Sequence, residues 1–499
     1  WKINNLDELM GNALERVQAS VAFRAEIPEG GAAARNAFRF FKPILPVYMK
    51  LFSHIIGNMA VRDPSRSTER AMASLEKALA ECERAILGKS GVERIGKVRE
   101  TLGSAMDLLV TSLSYASLSF IALPIAGRLT KKWLGEELDV NTLSKSPPGN
   151  VTGEMGLMIG DLADIAREYP EVAAYLESAD DGTFYRELAR VAGGALFKTE
   201  LEKFMAKYGM RCSGEIDISN RRWREAPTML VPSILGHIAT NAPGEHLYRF
   251  ARGRVEADEY VKSLLSRLGE KGGEHWKARV LARLLSIFRN TSGLRELPKY
   301  AIIRLFGVCR QAILEEARRL RNRGILRDEE DVFYLSLDEL VSLLEHRFSG
   351  DAGELIASRK RAFARYVKLS PPRLITSEGE VFRGERSGMK APEGALVGTP
   401  VSAGIAEGYV KVVLRPEEAR LNKGEILVAP FTDPGWTPLF YSAKAIVVEI
   451  GGVMTHGSVI AREYGIPAVV GVEHATRILK DGQRIRVDGT NGFVEILEG

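Results

Sequence analysis

The chain changes its grammar once, and that change limits what it can fold into. Up to about residue 370, apolar residues recur at three- and four-residue spacing, the mark of amphipathic helices. "STERAMASLEKALAECERAIL" (Ser67–Leu87) opens on Ser and Thr with an acidic residue close behind. "KYAIIRLFGVCRQAILEEARRLRNRG" (Lys299–Gly324) has Pro298 just before it and Gly324 as its C-cap. "EDVFYLSLDELVSLLEHRF" (Glu330–Phe348) reads as a short strand or turn, then a helix capped at Ser336. Across Ser370–Gly394, Pro, Gly, Ser and charge take over, as at a linker or domain edge. Beyond it come short β-rich runs such as "GEILVAPF", "AKAIVVEIGG" and "QRIRVDG". Brief helical patterns separate them at Trp436–Ser442, His456–Tyr464 and His474–Leu479. The expected architecture is multidomain: a mostly α-helical domain over 1–370, a linker or domain edge over 371–394, and a compact α/β domain over 395–499.

Composition narrows the function classes. The chain has 499 residues, 45% of them hydrophobic, enough for more than one core. The net charge of +5 is spread along the chain, and no aromatic-plus-basic motif accompanies it, so nucleic acid is not an expected partner. Cys82, Cys212 and Cys309 lie far apart without a CxxC pair, which fits a reducing, cytoplasmic compartment and gives no metal site. The chain opens on Trp1 with no signal peptide, and reads as a fragment or as a chain whose beginning is missing. "LLVTSLSYASLSFIALPIAG" (Leu108–Gly127) is uncharged and long, but it is Ser-rich and carries Pro124. It reads as a buried helix and not as a membrane span. No tandem repeat is visible.

The chemistry concentrates in "GGVMTHGSVIAREYGIPAVVG" (Gly451–Gly471). "AIVVEIGG" reads as a buried strand ending in two glycines, and "HGSVIAREYG" as a helix with small residues in its first turn. His456 then stands at a strand-to-helix junction, beside free backbone N–H groups and the positive end of a helix dipole. Gly451, Gly452 and Gly457 leave space for a bulky partner. Thr455 is placed to hydrogen-bond the imidazole or a phosphoryl oxygen. Such a histidine suits nucleophilic catalysis through a covalent phospho-intermediate. The plainer reading is a helix-start histidine with no chemistry.

Other clusters are less specific. "RCSGEIDISNRRWREAP" gathers Arg211, Glu215, Asp217, Arg222, Arg224 and Glu225, either as a structural ion-pair network or with Glu215 and Asp217 as a base or metal ligands. The two histidines of "HIATNAPGEH" (His237–His246) match no zinc spacing. "GKSG" (Gly88–Gly91) lacks the first glycine of a phosphate loop, Glu83 standing in its place.

"GGVMTHGSVIAREYGIPAVVGV" resembles the phosphohistidine motif of the phosphoenolpyruvate-utilising enzymes, and so does the preceding "ILVAPFTDPGWTPLF" (Ile426–Phe440). Most members have Thr two residues before the histidine, then Ser or Cys. Here Met454 and Thr455 take those places, a form similar to the rifampicin phosphotransferase branch. "YGMRCSGEIDISNRRWREAP" (Tyr208–Pro227) and "RELPKYAIIRLFGVCRQAILEEARRL" (Arg295–Leu320) resemble the acceptor domain of that branch.

The resemblance implies a swivelling domain that carries phosphate on His456, with Thr455, Gly452, Gly457 and Ser458 orienting it. It makes Arg295 and Lys299 the basic residues that meet the phosphoryl group on docking. They are four apart at a helix beginning marked by Pro298, and together would neutralise a phosphate in transit. Arg304 is a further candidate. Without the resemblance the same residues read as a basic helix face in water.

Relatives usually carry an ATP-grasp domain that charges the histidine, and phosphoenolpyruvate synthases a C-terminal barrel. Neither is read in this sequence. ATP and Mg are therefore expected on a separate ATP-grasp domain or partner subunit, as the phenylphosphate synthase relatives suggest. The expected activity is a dikinase-type phosphotransfer to a hydroxylated small molecule, with AMP and phosphate as co-products. The alternative is a phosphohistidine carrier subunit or regulatory phosphorelay protein. "NAFRFFKPILPVYMKLFSHIIGNM" (Asn36–Met59) is aromatic and Met-rich enough to line an acceptor site, or is ordinary core.

Overall fold

The computed structural model describes residues 53, 55–103, 105–270, 275–367, 374–375, 381–382, 391–392, 394–453 and 455–498. Most of 36–59, most of 371–394 and Met454 lie outside them.

The first part is helical. Its main helices are α1 (Ser67–Leu87), α2 (Gly91–Gly103), α3 (Ala105–Leu134), α4 (Val151–Glu168), α5 (Gly194–Tyr208), α6 (Val231–Thr240), α7 (Glu245–Glu270), α8 (His275–Thr291), α9 (Leu297–Asn322), α10 (Leu337–Leu344) and α11 (Ala352–Tyr366). Local chemistry sets several of their ends. Pro298 sits in the first turn of α9, where a missing N–H costs no intrahelical bond. Gly324 follows its end at φ +76°, a conformation glycine adopts without strain. Ser336 and Glu339 close a reciprocal capping box on α10. The stretch before it is a 3-10 helix, Glu329–Tyr334, and not the short strand the sequence allowed.

One large core joins α1, α4, α5 and α9 through residues such as Leu75, Ile159, Phe204, Tyr208, Tyr300 and Ile313. A second joins α3, α7 and α8 through Leu118, Ala122, Leu264, Leu281 and Leu285. The apolar run in α3 buries Leu118, Ala122 and Ala126, four apart on one face, while Leu113, Phe120 and Ile125 face out. Among the described residues no helix is long and apolar enough to cross a membrane.

Within the range read as a linker, β1 (Leu374–Ile375) and β2 (Val381–Phe382) form an antiparallel pair. The rest of the chain builds an eight-stranded sheet from β3 (Leu396–Val397), β4 (Thr399–Ser402), β5 (Ile405–Val412), β6 (Glu425–Ala429), β7 (Ile446–Val448), β8 (Ala468–Val470), β9 (Arg484–Asp488) and β10 (Phe493–Glu498). The order is β3-β10-β9-β5-β6-β7-β8-β4, with β5 to β8 parallel. The outermost strands, β3 and β4, are separated only by Gly398, so the sheet curls until its two ends meet. Its central strands are buried on both faces. Ile426, Val428, Val447 and Val469 point to one core, while Leu427, Ala429, Ile446, Val448, Ala468 and Val470 alternate into the other. That second core also takes Trp436 from the 3-10 turn Pro434–Trp436, Leu439 and Phe440 from α12 (Thr437–Phe440), and Ile460 and Ala461 from α13 (His456–Tyr464).

The sheet part packs on the helical part through α12 and α13. Tyr441 and Tyr464 stack with ring centroids 4.1 Å apart. A Cβ on Gly156 of α4 would lie 2.3 Å from the Tyr441 ring and 3.0 Å from the Tyr464 hydroxyl, so this contact requires glycine. Asn150 donates to Glu463 across the same junction.

Candidate functional site

His456 is the first residue of α13, at the end of the β7 strand-to-helix connection. The N–H of Val459 is the first to reach an intrahelical carbonyl, that of Thr455 at 3.2 Å, so the N–H groups of His456, Gly457 and Ser458 precede the helical ladder. Thr455 and Ser458 do not face the imidazole. Both hydroxyls donate to the Gly452 carbonyl at 2.8 Å and lie 3.0 Å from each other, which pins the glycine loop to the helix start. The imidazole bond expected of Thr455 comes instead from Thr437 of α12, whose Oγ1 is 3.0 Å from Nε2. Thr455 is the N-cap residue in an extended conformation, and its hydroxyl turns back into its own loop.

The glycines divide by role. A Cβ on Gly457 would stand 2.3 Å from Thr432 Oγ1, and one on Gly451 2.9 Å from Val470 Cβ. These two serve packing within the sheet part. Gly452 is open, with no neighbouring atom nearer than 4.0 Å to a Cβ.

The other ring nitrogen of His456 meets the helical part. Nδ1 lies 3.0 Å from Oε2 of Glu296, and both side chains are almost wholly buried, at 8% and 6% exposure. Burial would raise the Glu296 carboxyl, but His456, Arg295 and Arg211 outweigh it and hold the group well below the usual carboxylate range. An ionised carboxylate only accepts, so the Nδ1 N–H donates to Glu296, while Nε2 faces the Thr437 hydroxyl.

Arg295 pairs with the same Glu296, 2.5 Å from Oε1. Lys299, one turn on, lies 3.3 Å from Oε1 of Glu215, and Arg211 lies 3.5 Å from that atom. The structure thus brings Arg211, Glu215, Arg295 and Lys299 together beside His456. Asp217 is turned away and accepts from Ser219 N–H and hydroxyl, closing a turn. Arg304 points to Glu76 of α1 and covers the Tyr300 ring at 5.8 Å. Arg222 is buried inside the loop and donates to the Glu215 and Asp217 carbonyls. Arg310 reaches Glu225 and Glu330, part of the ion-pair network that sequence allowed.

Sequence reasoning missed four residues. Glu296 stands between Arg295 and Lys299, and its place in "RELPK" was the one signal available. Thr437 carries no motif of its own. Asp433 accepts from Gly214 N–H of the helical part at 2.7 Å and from Gly435 N–H at 2.8 Å. Its carboxyl is raised by burial and then by Glu215, against Lys299. Glu463, seven residues after His456, has its carboxyl pushed up to about 8, chiefly by burial. Among the described residues no group of three or more His, Cys, Asp or Glu is arranged to hold a metal ion.

Residues 421–492 match the family described as the mobile domain of PEP-utilising enzymes, and residues 111–296 match the rifampicin phosphotransferase fourth domain. The chain belongs with the phosphoenolpyruvate-utilising proteins, in their rifampicin phosphotransferase-like branch. It is 48% identical over 366 residues to rifampicin phosphotransferase of Bacillus subtilis, covering 73% of this chain and 42% of that protein. It is 43% identical over 424 residues to that of Bacillus cereus (85% and 49%) and 40% identical over 497 residues to that of Streptomyces sviceus (98% and 55%). The chain spans about half the length of the curated relatives it matches.

Proposed function

We propose that this chain is the acceptor-and-carrier part of a dikinase-type phosphotransferase. Nε2 of His456 attacks the β-phosphorus of ATP held on a separate ATP-grasp domain or subunit, which would also hold the Mg, and AMP leaves. Water cleaves the resulting pyrophosphoryl-histidine, releasing phosphate and leaving one phosphoryl group on Nε2. The sheet domain then docks on the helical domain. An acceptor hydroxyl oxygen attacks the phosphorus and gives up its proton to solvent, the P–N bond breaks, and its electron pair returns to Nε2.

The observation that carries this reading is the clamp on His456. Glu296 holds the proton on Nδ1 in the docked state, which lets the ring leave the phosphorus as a neutral imidazole stabilised by the carboxylate. The same carboxylate belongs to the segment that supplies Arg295 and Lys299, so docking the histidine also brings charge neutralisation to the phosphoryl group. The relatives' name supports a hydroxylated small molecule of the rifampicin kind as acceptor. Cytoplasmic placement accords with the three free cysteines, of which Cys212 and Cys309 are buried.

The test is to incubate the chain with its ATP-binding domain and β-labelled ATP. Acid-labile, base-stable label that disappears in His456→Ala is expected. Absence of label, or label that survives His456→Ala, overturns the phosphohistidine reading. Passage of label to a small hydroxyl compound distinguishes an enzyme from a carrier that serves another protein.

A further inference from the structure

The Arg211–Glu215–Lys299 cluster is under-bonded for a structural ion pair. Arg211 and Glu215 have wholly buried side chains. None of the three Arg211 side-chain nitrogens, and neither Glu215 carboxylate oxygen, has a hydrogen-bond partner among the described residues. Glu215 is held by charge contacts, 3.5 Å from Arg211 and 3.3 Å from Lys299, and Arg211 also covers the Tyr300 ring at 5.5 Å. A buried Arg–carboxylate pair built for stability would close to about 2.7–2.9 Å, commonly with two parallel hydrogen bonds. Here one carboxylate faces two cations while the donors stay unsatisfied, a costly state unless another acceptor visits. Lys299, with 32% of its side chain exposed, is the part of the cluster open to solvent.

We infer that Glu215 is a built-in stand-in for the phosphoryl group, holding the Arg211–Lys299 cation pair until an anion delivered by docking displaces it. This rests on the reading that a phosphoryl group reaches the cluster from His456. A tetrahedral phosphoryl group offers three acceptor oxygens in different directions and can satisfy donors that this carboxylate leaves open. The stand-in also gives selectivity. The proposed reaction releases free phosphate, and an unguarded Arg–Lys pair would bind it and block transfer. Free phosphate must compete with a tethered carboxylate at its own dilute concentration. A phosphoryl group on the docked histidine competes at an effective concentration on the order of millimolar or higher. Glu215 thus discriminates by penalising the wrong ligand, not by improving the right one.

The test uses inorganic phosphate and the chain itself, by titration calorimetry and phosphorus NMR line broadening. Glu215→Gln keeps the shape and removes the competing charge. It is expected to bind phosphate at least about tenfold more tightly than the unaltered chain, equivalent to about 1.4 kcal/mol. Glu215→Asp, which retracts the carboxylate, should fall between the two, and Glu215→Gln with Lys299→Met should lose the gain. Because the expected result is a gain of binding, misfolding cannot produce it, and the Asp variant serves if the Gln variant does not fold. Equal phosphate affinity in the unaltered, Gln and Asp chains overturns the assignment. Labelling of His456 on the same samples separates the two readings: intact label with unchanged phosphate affinity removes only the role of Glu215, whereas lost label removes the phosphotransfer reading.

Discussion

The carboxylate of Glu296 lies 3.0 Å from Nδ1 of His456, although the two residues are 160 positions apart and belong to the helical and sheet parts. On the other side of the ring Thr437 lies 3.0 Å from Nε2. The imidazole is therefore held by one group from each part.

Glu296→Gln should slow delivery of phosphate without slowing its loading. The amide can present its NH₂ to Nδ1 and favour the wrong tautomer. A loss of about 10²- to 10⁴-fold in the transfer step is expected, by analogy with other histidines oriented by a carboxylate. Rapid-quench measurement of label leaving His456 checks this, with unchanged charging by ATP as the second readout.

Gly435→Ala should weaken the grip between the two parts. A Cβ there would lie 2.7 Å from both the Cys212 carbonyl oxygen and the Ser213 nitrogen, which are backbone atoms that cannot rotate aside. The neighbouring bond from Gly214 N–H to Asp433 should open with it. Hydrogen exchange at Gly214 is expected to accelerate, while exchange within β6 and β7 stays slow.

Docking should weaken as pH rises through about 8. Burial lifts the Glu463 carboxyl from its ordinary value to about 8 in the docked state, against the pull of Arg295 and Arg462 and the Asn150 hydrogen bond, and with Glu296 adding to the rise. Separated from the helical part, the group returns toward 4.5. Docking then takes up a proton between these values, so its contribution is fully present below the lower value and is lost as pH climbs through the upper one. Small-angle scattering from pH 6 to 9.5 reads the separation, and Glu463→Gln should flatten the profile.

Arg310→Ala should destabilise the helical part by about 1–3 kcal/mol, because it strands the Ile218 and Ser219 carbonyls and unpairs the partly exposed Glu225 and Glu330. Arg310 is wholly buried, donates from Nε and Nη2 to Glu225, from Nη2 also to Glu330, and from Nη1 to the Ile218 and Ser219 carbonyls. Urea unfolding measures the change, and Arg310→Lys should recover only part of it because the planar fork is lost.

The sequence by itself marked the main elements and the candidate histidine. The period of three to four residues marked α1 and α9 to within two residues of their ends, and Ser336 announced its own capping box. The apolar run and the glycines before His456 marked the strand-to-helix connection, although the strand stops at Val448 and Gly451 and Gly452 lie in the loop beyond it. Tertiary structure alone decided the partners. Whether Thr455 or Thr437 meets the imidazole depends on how α12 packs against α13, and nothing in the local sequence separates two threonines of equal chemistry. That Arg211 and Lys299 share Glu215, while Asp217 and Arg304 turn elsewhere, follows from the loop after α5 folding onto the start of α9. Charge is legible in a sequence, but its pairing over 80 or more residues is fixed only when packing decides which buried groups must neutralise each other.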